Sequence, residues 1–162
     1  MIFWRVLVNS IKLPKKDAMF QLNRVGLDIA VVYNFILIFI ISIPSLIERL
    51  TISNGFGSEM NVAFTFIYFF MFYYLPLTVI IFITLSLIAY IGSLIAKIMK
   101  RKLHYSLLWK MCSFTTTIPF LLYIVLSLAF PVNDIYLFAA FLYTIILLVR
   151  MISIYPKRRE RK

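Results

Sequence analysis

Little in this sequence can carry polar chemistry. Its 162 residues hold one cysteine, one histidine and six carboxylates, and charged side chains make up only 14%. A lone Cys112 excludes a disulfide framework and a cysteine metal cluster, and a lone His104 removes the usual zinc and haem spacings. Intramembrane proteolysis needs a Ser paired with a His, paired aspartates or a zinc motif, and no such arrangement is present. The expectation is no catalytic residue, no metal and no cofactor, and hence no enzyme. A cleavable signal is not expected either. The apolar run at residues 1–8 is short, is interrupted by Arg5, and leads into Lys12, Lys15 and Lys16 rather than a small-residue cleavage site.

What is abundant is apolar surface. Some 63% of the side chains are hydrophobic and 17% aromatic, with a net charge of +11. A soluble domain carries about 25% charge and at most about half apolar residues. A chain this short has too little interior to hide the excess from water, and a disordered chain needs low hydrophobicity. The composition predicts an all-α integral membrane bundle forming a single domain over residues 1–162.

Four spans are expected, at about 27–47, 76–96, 107–130 and 134–155. At 1.5 Å per residue, residues 27–47 reach about 31 Å, enough for a hydrocarbon core of about 30 Å. Residues 61–96 carry no charge, and as one helix they would extend about 54 Å, too long for one upright span. Pro76 is the natural break. The preceding segment, 63–75, is dense in Phe and Tyr and fits an interfacial or strongly tilted segment, with a buried aromatic helix as the alternative. Pro119 should break the third span near its middle. A very short turn at Pro131, Val132 and Asn133 should make the last two helices antiparallel neighbours. Residues 2–13 read as an amphipathic interfacial helix ended by Pro14, with Arg5, Asn9 and Lys12 as its polar stripe.

Charge sets the expected topology. With four spans, sixteen basic residues fall on one side and only Arg49 on the other. The positive-inside rule then puts both termini in the cytoplasm, in a bacterial cytoplasmic membrane. A fifth span at 63–75 would throw the C-terminal basic cluster outside. Lys97, Lys100, Arg101, Lys102, Lys157, Arg158 and Arg159 should contact anionic lipid headgroups of the inner leaflet, each contributing about 1 kcal/mol. Nucleic acid is not an expected partner, because span ends already explain these charges.

Two groups within the spans invite a functional reading. Asp28 is an ionisable residue one turn into the first span. An ion pair with Arg150, tying the first helix to the fourth, is its plainest role; a proton or cation relay and snorkelling to the interface are the alternatives. Thr115, Thr116, Thr117 and Pro119 make a hydroxyl-rich, kinked stretch that could line a path or simply pack. Ser86, Gly92 and Ser93 are small residues suited to close helix contact.

The string KRKLHYSLLWKMCSFTTTIPFLLY at residues 100–123, the opening SIKLPKKDAMF, and a span ending in SIPSLIE together resemble the Yip-type polytopic membrane proteins. The resemblance is nearest to an uncharacterised Gram-positive branch sometimes labelled maltodextrin-utilisation membrane protein. It covers about a third of the chain, and it departs at the loop after the first span, which is larger in that branch. The resemblance implies a multi-span helical bundle and supplies no functional residue.

The function these features suggest is a non-enzymatic accessory, scaffold or regulatory subunit of a membrane protein complex. Another integral membrane protein is the expected partner, with a homo-oligomer as a further option. Phe69, Phe70, Phe72, Tyr73 and Tyr74 are the candidate contact residues. The alternative is a small transporter component with a polar path near Asp28, Asn34 and Thr115–Thr117.

Overall fold

A computed structural model describes residues 2–51, 62–130, 132–133 and 135–156. Among these every extended element is a helix. α1 (Ile2–Ile11) and α2 (Lys16–Asn23) precede α3 (Leu27–Thr51); α4 (Val62–Phe69), a π-helical turn (Phe70–Tyr74) and α5 (Leu75–Ile98) follow, then α6 (Tyr105–Thr115), α7 (Thr117–Ala129) and α8 (Ile135–Ile154). Four stretches are long and apolar enough to cross a membrane: Leu27–Thr51, Val62–Ile98, Tyr105–Leu128 and Ile135–Ile154. The four-span expectation and the all-α bundle hold.

The aromatic segment is not separate from the second span. Val62–Ile98 runs as one helix of 37 residues. Pro76 does not break it, because the π turn absorbs the missing donor. The Leu75 N–H reaches back five residues to the Phe70 carbonyl, and Pro76 then occupies the opening of α5. The third span accommodates its proline by a break instead. Its helix interrupts at Thr116, not at Pro119, so Pro119 falls in the first turn of α7, where a missing N–H costs nothing.

α6 is the centre of the bundle. It touches α1, α2, α3, α5, α7 and α8. Eight consecutive residues, from Leu108 to Thr115, are buried, as a helix enclosed on all sides requires. α5 packs on α6 and α8, and a Cβ at Gly92 would lie 2.6 Å from Leu148 Cδ2, so α5 and α8 approach closely there. Past Thr116 the third span loses company: α6 lies against α5, α3 and α8, whereas α7 keeps α3 and packs little on α5 or α8. α7 and α8, expected as antiparallel neighbours, share little packing. Tyr136 bridges them, donating to the Pro119 carbonyl and stacking near Tyr123 at 5.8 Å.

The N-terminal helix does not simply lie on a surface. α1 packs on α2, α6 and α7 through Val6, Asn9 and Ser10. Asn9 therefore turns inward and donates to Gln21 Oε1 at 2.9 Å, while Arg5 and Lys12 stay exposed. The expected polar stripe is split because one of its members ties α1 to α2. Ile2, Phe3 and Trp4 are left on the outer face.

Candidate functional site

Two basic side chains clamp helix ends where α2, α5 and α8 finish. Lys110, in the second turn of α6, is buried and donates to the carbonyls of Asn23 and Val25 at 3.0 and 2.7 Å. Those carbonyls lie where α2 runs out of intrahelical donors. Arg101 likewise donates to the Tyr155 carbonyl just beyond α8. It was expected at lipid headgroups; it is half-buried and acts instead as a C-terminal cap, where a cation complements the helix dipole. Lys97, Lys100 and Lys102 are exposed, and Lys157, Arg158 and Arg159 lie outside the described residues.

Deeper in the bundle, α3 faces the α6–α7 break through a polar seam. Tyr33 and Thr117 share a hydrogen bond of 2.9 Å between their hydroxyls, and Asn34 Nδ2 donates to Ser113 Oγ at 2.7 Å. All four residues are buried. Asn34 Oδ1 is the one buried atom of the seam left without a protein partner. Thr115 and Thr116 turn their hydroxyls onto their own helix, at the Met111 and Ser113 carbonyls. The seam pins α7 to α3 and thereby fixes where α7 goes after the break.

That detour opens a cleft. Between α5, α7 and α8 lies a cavity of about 520 Å³, within the range of about 300–1,000 Å³ that ligand pockets occupy. Leu77, Ile81, Leu85, Phe120, Leu137 and Phe141 supply apolar wall, and Thr84, Thr116 and Thr144 mark its deep end. Tyr73, Tyr123, Tyr136 and Asn133 gather at its mouth. Arg49 sits 5.3 Å above the Tyr73 ring. Tyr73 is held in place by a 2.9 Å hydrogen bond with Ser45.

The sequence-level candidates fare unevenly. Asp28 and Arg150 are not brought together: both are exposed, and α3 and α8 do not form a packed pair. The Asp28 carboxylate folds back over Gly26 at the start of α3, a position the helix dipole favours for an anion. Asn34 and Thr117 do meet at the seam through Ser113 and Tyr33, but Asp28 has no bond to it. Of the five aromatic contact candidates, Phe69 is fully buried, Tyr73 holds Ser45, and Tyr74 donates to the Phe35 carbonyl at 3.1 Å. Phe70 and Phe72 remain exposed, and Phe70 also stacks on Phe39 at 6.0 Å. The buried Lys110 and the cleft residues Tyr123, Tyr136 and Thr144 were not anticipated. Their local signal was a polar atom within a mostly apolar span.

Among the described residues no three His, Cys, Asp or Glu side chains gather to hold a metal. A family model described as a protein of unknown function (DUF1189) matches residues 51–154. No curated protein and no solved structure matches the chain.

Proposed function

The chain belongs to the DUF1189 family, and on that premise we propose that it is a non-enzymatic accessory subunit, binding another integral membrane protein through the overshoot of its longest helix. The observation that carries this reading is a mismatch of lengths. Val62–Ile98 has 37 residues and so extends about 55 Å, against a hydrocarbon core of about 30 Å. Tilted by about 40°, near the limit for membrane helices, it would still span about 42 Å. The excess is apolar. Phe64, Ile67 and Phe72 are each 62% exposed, and Tyr68 and Met71 are exposed beside them.

Arg49, near the end of α3, lies level with Tyr73, so the helix continues about 16 Å past the cation, packed on α3 among the described residues. Apolar side chains there would each lose about 25 cal/mol for every Å² left in water. A partner's membrane helix, or its apolar extension, would cover them. In a bacterial cytoplasmic membrane the basic end would face the cytoplasm, with Lys97, Lys100 and Lys102 near anionic headgroups. The transporter alternative has less support, because the Thr115 and Thr116 hydroxyls are committed to their own backbone.

The test is extraction at native abundance into lipid nanodiscs, followed by mass spectrometry of what co-purifies. A stoichiometric membrane protein, lost when Phe64, Tyr68 and Phe72 are all replaced by Ser, is the expected result. Recovery of the chain alone, or only as a homo-oligomer, would overturn the reading.

A further inference from the structure

We propose that the cleft between α5, α7 and α8 is a binding site for a phospholipid, with one acyl chain in the cleft and the phosphate at Arg49. The site is independent of the overshoot of Val62–Ile98 and of any protein partner there.

Depth argues for an acyl chain. Along α5 and the preceding π turn, the lining runs from Tyr73 to Ile88, about 22 Å of helix. One leaflet of hydrocarbon is about 15 Å, half the core. The cleft therefore runs from an interface past the midplane, deep enough to take the whole length of one lipid tail. Its wall is almost entirely aliphatic and aromatic, and the hydroxyls at its deep end are satisfied internally. Thr84 donates to the Ile80 carbonyl and Thr144 to the Ala140 carbonyl, at 2.9 and 2.8 Å. No polar substrate is called for there.

The mouth argues for the headgroup. Tyrosines concentrate at the headgroup level of bilayers because one end of the ring is apolar and the other wet. Tyr73, Tyr123 and Tyr136 all stand at this mouth. Arg49 lies over the Tyr73 ring, 5.3 Å from its centroid. A phosphate suits the guanidinium, which offers a fork of donors.

The cleft also has a structural cause that keeps it open. Collapse would require α7 to pack on α8, and the Tyr33–Thr117 bond holds α7 on α3.

The experiment uses the full chain in nanodiscs containing equal phosphatidylethanolamine, phosphatidylglycerol and diacylglycerol, exchanged into detergent, with the retained lipid measured by mass spectrometry. About one phospholipid per chain should survive, enriched at least fivefold over diacylglycerol. Ala140→Phe, which projects a ring into the cleft, should reduce retention at least fivefold with unchanged helicity and melting. Ala140→Leu, a milder filling, should fall between. Arg49→Gln should weaken the preference for phospholipid over diacylglycerol. Retention that mirrors the nanodisc composition, or that survives Ala140→Phe in a folded chain, would overturn the site. An unchanged preference in Arg49→Gln would overturn the headgroup assignment.

Discussion

At the scale of single residues, the bundle is governed by where its few polar atoms go. Lys110 carries a charge in the second turn of a membrane helix, and two carbonyls at the end of α2 are what make that tolerable. Lys110→Met removes the donor and leaves both carbonyls unpaired. Hydrogen bonds to a charged group contribute about 1.5–3 kcal/mol, so unfolding in a detergent titration should become easier by about that amount. Lys110→Arg, which keeps donors in reach, should recover part of the loss. Lys100 is a second case. It closes α5 in a left-handed conformation, φ 52°, with the Arg101 N–H returning to the Ala96 carbonyl and its own N–H to Lys97. That is the turn at which glycine is favoured. Lys100→Gly should therefore stabilise the folded chain, by about 0.5–1 kcal/mol in the same titration. The sign of each charge was legible in the sequence, because span ends collect cations. The burial of Lys110 was not, since its acceptors come from a helix 85 residues away.

At the scale of elements, two prolines have similar consequences by different routes. Before Pro76 the helix widens into a π turn and continues; before Pro119 it stops at Thr116 and restarts. The four spans could be read from the sequence because length and apolarity are local properties. The fate of 63–75 could not, since whether a proline breaks a helix depends on whether the preceding turn can rearrange. The α6–α7 break gains its direction from the seam with α3. Tyr33→Phe deletes one hydroxyl of the Tyr33–Thr117 bond. Hydrogen bonds between membrane helices average about 0.6 kcal/mol, with a maximum of about 1.7 kcal/mol, so a loss of that order is expected in unfolding titrations. Gly92→Val should cost more, about 1–3 kcal/mol, because its branches meet Leu148 where α5 and α8 touch. A melt of Gly92→Val beside Gly92→Ala measures how much room that contact holds.

At the scale of the whole molecule, one end is tied together and the other is open. Lys110 and Arg101 bind the ends of α2 and α8 to α6 and its approach. At the far end α7 leans away from α8, a tyrosine-rimmed cleft opens, and Val62–Phe72 extends beyond Arg49. That open end carries exposed apolar side chains, among them Phe64, Ile67 and Phe72. Neither the cleft nor the overshoot could be read from residue order, because both arise from how spans diverge. The central claim is that a protein covers the overshoot. A photo-crosslinking amino acid placed at Phe72, with an identical probe at Leu128 on α7 as the lipid-facing control, tests it in intact membranes. The account predicts one discrete protein adduct in near-stoichiometric yield from position 72 and none from position 128. Adducts to lipid alone at both positions, or the same diffuse set of proteins at each, would contradict it.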